Sequence, residues 1–145
     1  MKNILLVEDN EADARLMVEA FKSAGSRSRI EHVREGEQVL PFLKGEPPFE
    51  GRRFPDLVLL DLNLPRKDGR EILAAIKAEA SLAHVPVIVM SNSTYPEDIA
   101  YCYRLHANCY LAKPLGFEET RRSAGMIDQF WLKMVETGAG RASQF

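Results

Sequence analysis

Four unbroken apolar runs constrain this chain more than any other feature: Ile4–Val7, Leu57–Leu60, Val85–Met90 and the shorter Cys109–Ala112. A strand with one wet face alternates apolar and polar residues. A strand buried on both faces reads as a continuous run, the pattern of parallel sheets. A weaker fifth run lies near Arg29–Val33. Between the runs the spacing turns helical. Leu16, Met17, Ala20, Phe21 and Ala24 share one face, as do Ile72, Ala75, Ile76 and Ala80. The last helix carries Ala124, Ile127, Trp131 and Met134 at three- and four-residue steps. Strand–helix repeated five times predicts an α/β fold, a five-stranded parallel sheet with right-handed crossovers and helices on both sides.

Glycine and proline mark the breaks, and KGEPPFEGRRFPD, residues 44–56, reads as one long irregular loop. Pro41 falls inside GEQVLPFLK, where it shifts or bends the helix unless it lies in the first turn. With 145 residues the chain has the size of one domain, expected over residues 1–136 with a disordered tail at 137–145. Apolar residues at 46% and charged residues at 28% place it among soluble globular proteins. A formal charge of −2 without a basic stripe argues against nucleic-acid binding. No run is long enough to cross a bilayer, and MKNILLVEDN turns acidic before a signal sequence could form. A cytoplasmic protein is expected, with Cys102 and Cys109 as free thiols. His32, His84 and His106 share no motif with them and are taken as structural or surface residues.

The residues at the end of each run carry the chemistry. Glu8 and Asp9 come after the first, Asp61 after the third, Ser91 after the fourth, and Lys113 with Pro114 after the fifth. In open α/β sheets, ligands bind beyond the carboxyl ends of the strands, at the point where strand order reverses. In the order 2-1-3-4-5 the first and third strands are neighbours, so the acidic exits ILLVEDN and LLDLNLPRKDG meet. Two unit charges 4 Å apart repel by roughly 4 kcal/mol at an effective dielectric near 20. A divalent cation relieves that repulsion, and an all-oxygen donor set favours Mg2+, with the Asn63 backbone carbonyl as an added ligand. Asp61 is then placed to attack phosphorus and form an acyl phosphate, while Lys113 and the Ser91 hydroxyl hold the phosphoryl oxygens.

VEDN, LLDLNLPRKDG, PVIVMSNS and NCYLAKP, in that order, make the chain resemble a response-regulator receiver domain over about residues 2–135. The resemblance implies a flavodoxin-like doubly wound (βα)5 fold with Asp61 as phosphoacceptor. It further implies Asp9 as direct Mg2+ ligand, Glu8 as its water-bridged companion, Ser91 as switch hydroxyl, Lys113 as the family lysine and Tyr110 as switch aromatic. A cis Lys113–Pro114 bond is also implied. The Glu-Asp pair, the long loop before Phe54, DLNLPRKDGRE and DQFWLKMV further resemble single-domain regulators paired with bacterial and cyanobacterial phytochromes. Pro41 and Asn92 depart from that subgroup. The expected partner is accordingly a histidine kinase, a bacteriophytochrome among the candidates. A homodimer is expected through the face built from the fourth helix, fifth strand and fifth helix.

Plainer roles compete at several positions. Glu8-Asp9-Asn10 suits a helix N-cap, and SNS after Val85–Met90 suits a polar turn. Lys113 suits a surface lysine and Tyr110 a packed strand aromatic. Arg52-Arg53 and Arg121-Arg122 suit solvated pairs. Phe130 and Trp131 point about 100° apart on an α-helix, so one enters the core while the other offers an interface anchor. Two other functions use similar residues: an aspartate-based phosphohydrolase and a receiver-like adaptor that takes no phosphate. The first needs a general acid two residues after its nucleophile, where Asn63 stands. With no output domain after residue 136, the signal is expected to leave by protein contacts or onward phosphotransfer.

Overall fold

The structure, a computed structural model, describes residues 1–138. Strands β1 (Asn3–Val7), β2 (Arg29–Val33), β3 (Leu57–Asp61), β4 (Val87–Ser91) and β5 (Cys109–Ala112) form one parallel sheet. The order is β2-β1-β3-β4-β5, the expected 2-1-3-4-5. The apolar runs divide by parity between two cores. Leu5, Val7, Val58, Leu60, Val87 and Val89 face one side, packed on α2 (Val39–Lys44) and α3 (Gly69–Ala78). Ile4, Leu6, Leu57, Leu59, Ile88 and Met90 face the other, covered by α1 (Glu11–Ser23) and α5 (Gly116–Ile127). Every side chain of the central runs therefore has a dry face to meet, which is why those runs do not alternate. Among the described residues, no helix is long and apolar enough to cross a membrane.

Several helical expectations shift. Gly36–Gln38 forms a 3₁₀ turn, and α2 starts only at Val39, so Pro41 falls in its first turn, where a missing N–H costs little. On α1 the buried residues are Ala14, Met17, Ala20 and Phe21, while Leu16 and Ala24 are half-buried. In α3, Leu73 joins Ile72 and Ile76 in the core, Ala75 is half-buried, and the exposed Ala80 lies beyond the helix end. The largest change is at the C-terminus, where Asp128–Met134 winds as a π-helix. Its i→i+5 bonds, such as Val135 N–H to Phe130 O at 2.9 Å, lengthen the turn. The next apolar residue buried after Ile127 is therefore Leu132, five positions on, while Trp131 is half-buried and Met134 exposed. The tail expectation over 137–145 falls on residues outside the described range from 139 onward. Thr137 Oγ1 donates to Asp56 Oδ1 at 3.2 Å.

Helix α4 (Pro96–Arg104) connects to β5 through a Schellman turn. The N–H of His106 donates to Tyr103 O, and that of Ala107 to Cys102 O. This turn needs a left-handed residue, and His106 supplies it at φ 72°. The Asn108 side chain then fixes where β5 begins, its Oδ1 accepting from Val87 N–H and from the Lys77 ammonium. A left-handed conformation costs an L-residue about 1–2 kcal/mol, partly offset in a glycine variant by the greater freedom of its unfolded chain. His106→Gly is expected to stabilise the protein by roughly 0.5–1 kcal/mol, read as a raised urea midpoint with unchanged slope.

Candidate functional site

Each functional side chain stands where a buried strand runs out of core. Asp61 and Ser91 are the last residues of β3 and β4, and Glu8 and Lys113 come directly after the last residues of β1 and β5. Parallel pairing in register brings these ends together. The acidic turn after β1 is held from both sides. Glu8 N–H donates to Val33 O at 3.1 Å, and the His32 Nε2–H of β2 donates to Glu8 O at 2.6 Å. Asn10 then caps α1, its Oδ1 accepting from Asp13 N–H at 2.9 Å. The capping role open to this segment thus belongs to Asn10, leaving Glu8 and Asp9 free to face the site.

Asp61 is buried, with its two oxygens separately engaged: Oδ1 accepts from Asn63 N–H at 2.9 Å and Oδ2 from Lys113 Nζ at 2.9 Å. Lys113 also lies 3.5 Å from Glu8 Oε1. One ligand oxygen each from Glu8, Asp9 and Asp61 fall within 4.8 Å of one another. When ionised, three carboxylates against one ammonium leave an excess of two negative charges in a largely dry cup. The strain of that arrangement shows in Glu8. Burial, then the charge of Asp61, pushes its carboxyl up to about 7, against the Asn10 N–H and the Lys113 charge. Burial works against the Lys113 charge, yet the hydrogen bond and charge of Asp61 and the charge of Glu8 outweigh it. The ammonium is held above its ordinary value. Hard oxygen donors with this charge excess fit a small divalent cation.

The remaining predicted residues sit around this cup. Ser91 is buried, and its Oγ accepts from Ser93 N–H at 3.1 Å. Tyr110 is half-buried, and its hydroxyl donates to Ser93 O at 2.8 Å. Asn63 is exposed and folds back onto Asp61 through its N–H. Phe130 and Trp131 lie away from the site, on the π-helical segment. Phe130 is 50% exposed while Trp131 packs against the core, an edge-on pair with centroids 5.4 Å apart. One implication of the resemblance fails: among the described residues the cis peptide is Pro47–Pro48, and Lys113–Pro114 is trans. Proline leaves the two isomers within about 1 kcal/mol, so residue identity alone does not choose between them.

Three contributors were not singled out from the sequence. Ser93 ties Ser91 to Tyr110 through its own backbone, and its hydroxyl donates to Asp98. The polar stretch SNSTYP before a helix carried that signal. His32, read as structural, positions the Glu8 turn. Gly69 packs directly beneath the end of the Asp61 strand, where a Cβ would lie 2.6 Å from Leu62 Cα and 2.9 Å from Asp61 O.

A buried acid at the end of a central parallel strand, flanked by two more acids and a lysine, defines a receiver. The model of the response regulator receiver domain matches residues 4–124, and the chain belongs to this family. Response regulator Rcp1 of Synechocystis is 41% identical over 134 residues, 92% of this chain and 91% of that protein. The probable methanogenesis regulatory protein FilR2 of Methanothrix harundinacea is 44% identical over 129 residues, 89% of this chain and 83% of that protein. The crystal structure of the phosphorylated cyanobacterial phytochrome response regulator RcpA superimposes with a TM-score of 0.88 at 40% identity, covering 95% of this chain and 99% of that one. The Mn2+-bound form of Rcp1 superimposes with a TM-score of 0.86, also at 40% identity, covering 96% of this chain and 100% of that one.

Gly69→Ala forces a methyl against main-chain atoms that cannot yield. Overpacking of this kind costs about 1–3 kcal/mol, and the variant is expected to lose that stability in urea melts. Because the displaced peptide is that of Asp61 and Leu62, divalent-ion affinity is expected to fall as well, measured by Mn2+ titration.

Proposed function

We propose that Asp61 is the phosphoacceptor of a signalling switch and takes its phosphoryl group from a histidine kinase. The observation that carries this reading is the buried Asp61 carboxylate, pinned by an ammonium at 2.9 Å and crowded by two further acids. An Asp61 oxygen attacks phosphorus. The P–N bond of the kinase's phosphohistidine breaks as the P–O bond forms, the imidazole leaves with the electron pair, and an acyl phosphate remains. The Asn63 N–H and Lys113 hold the carboxylate oriented before the donor arrives. Lys113 then meets the negative charge gathered on the phosphoryl oxygens. Ser91 accepts from Ser93 N–H, so its own proton is left to donate to those oxygens.

Asp9, Asp61 and the Asn63 carbonyl would hold Mg2+, with Glu8 reached through a water. When bound, the ion supplies positive charge beside the transferring phosphoryl group. Asn63 stands two residues after Asp61, where a phosphohydrolase needs a protonated acid, and an amide has no such proton to give. We therefore assign the chain a signalling role rather than turnover of small phosphate esters. Ser91 drawn toward the phosphoryl group, with Tyr110 moving after it, shifts an equilibrium in the face formed by α4, β5 and α5.

The likeness to the cyanobacterial phytochrome response regulator RcpA supports a phytochrome-class kinase as donor, and we place the transfer in the cytoplasm. A second copy of the chain is the partner we assign to the outer face of β5 and α5. There Cys109, Leu111, Met126, Phe130 and Trp131 line an apolar groove of about 360 Å³. Phe130 and Met126 project large apolar surface into solvent, the composition expected at an interface core.

Asp61→Asn is expected to abolish labelling by acetyl phosphate or by a phytochrome kinase, and chelation by EDTA to do the same to the parent protein. Undiminished labelling of the variant would remove Asp61 as acceptor. For the dimer, Phe130→Ala is the cleaner test, because Trp131 also fills the core. Truncating an aromatic interface anchor typically costs about 2 kcal/mol or more, and a homodimer loses it on both subunits, so the dimer dissociation constant should rise at least about thirtyfold in sedimentation equilibrium. A parent protein that sediments as a monomer at high concentration would end the proposal.

A further inference from the structure

Tyr103 is not among the switch residues of the site, yet its hydroxyl occupies a particular place. β5 is the edge strand of the sheet, with β4 on one side only. Lys113 N–H donates inward to Ser91 O. Because backbone groups alternate in direction along a strand, the N–H of Tyr110, three residues earlier, points to the open edge. An edge N–H of this kind ordinarily faces water or a partner strand. Here it donates to Tyr103 Oη at 3.0 Å.

Tyr110 is thereby fastened to α4 and its approach at two separate points. Its ring hydroxyl reaches Ser93 O in the segment that leads into α4, and its main chain is held by Tyr103 near the helix's other end. Ser93 completes the connection. Its N–H donates to Ser91 Oγ, and its hydroxyl donates to Asp98 in the first turn of α4. Such end contacts matter because little else holds this helix. Of its nine residues only Cys102 is buried. A helix with so small a dry face is poorly fixed by packing, and hydrogen bonds at its ends decide where it sits.

We propose that Tyr103 is a positioning residue of the switch, clasping the main chain of Tyr110 so that α4 and β5 move as one body when the site is phosphorylated. This rests on Asp61 being the acceptor. A displacement of Ser91 passes through Ser93 to both the Tyr110 ring and the start of α4. The Tyr103 clasp carries any movement of the strand into the last turn of the same helix. The clasp also covers an edge N–H of β5 that a strand pairing at this edge would use.

The test is Tyr103→Phe, which deletes one hydroxyl and keeps the ring, with Tyr101→Phe on the same helix as control. In the unphosphorylated protein, amide exchange followed by NMR should accelerate at Tyr110 by about tenfold or more, a lost protecting bond being worth about 1.4 kcal/mol per decade. Exchange at Leu111 should hold, and the control should match the parent. On labelling with acetyl phosphate and Mg2+, Tyr103→Phe should take phosphate as fully as the parent. Its chemical-shift changes should reach Ser93 and Tyr110 but fade across residues 100–104. Unaltered exchange at Tyr110, or α4 shifts equal to those of the parent, would overturn the clasp. Failure of the parent itself to label would instead overturn the acceptor assignment, while the exchange measurement would still decide whether the clasp exists.

Discussion

The structure depends on an electrostatic conflict held in place by a hydrophobic sheet. Asp61 is buried at the end of a strand whose five residues are all dry, with two more carboxylates brought to it by the neighbouring strand. Left alone, that arrangement would spread apart. It persists because Lys113 answers part of the charge and because the strands cannot separate without exposing the core on both faces. The same conflict makes the site receptive. A cation or a phosphoryl group with its counter-ion enters a cup that is already polarised, and little reorganisation remains to be done. Stability and reactivity therefore come from one source, the register of β1 against β3.

How much of this was legible in the sequence depends on the range of each interaction. The parallel sheet was legible because burial on both faces leaves continuous apolar runs, and strand order then placed Glu8, Asp9, Asp61, Ser91 and Lys113 at one end. These are coarse consequences of the core. What escaped was set by single hydrogen bonds or by one residue of register. The periodicity that grouped Ile127, Trp131 and Met134 assumes 3.6 residues per turn, and the π-helical segment breaks that assumption without any glycine or proline to announce it. Ser93 looked like turn material because its importance lies in backbone atoms that every residue shares. The histidine at position 106 sits where glycine is usual, so the end of α4 carried no ordinary stop signal.

The relatives sharpen what the site does and does not determine. A cyanobacterial regulator and one named for methanogenesis resemble this chain to similar degrees. Overall likeness therefore does not choose an input, and partner choice is to be sought on surfaces away from the cup. In this chain the candidates are the apolar groove beside Phe130 and the tyrosine-rich helix α4, with Tyr95, Tyr101 and Tyr103 all exposed.

The winding of Asp128–Met134 has a consequence for how such surfaces can diverge. A π-turn behaves like a single residue slipped into an α-helix. Ile127 and Leu132 keep their places against the sheet, while the side chains between them are re-aimed around the axis. Family members that gain or lose this one-residue slip could rotate an aromatic from interior to exterior without repacking their cores. Quaternary structure would then be free to drift while the fold beneath stays fixed.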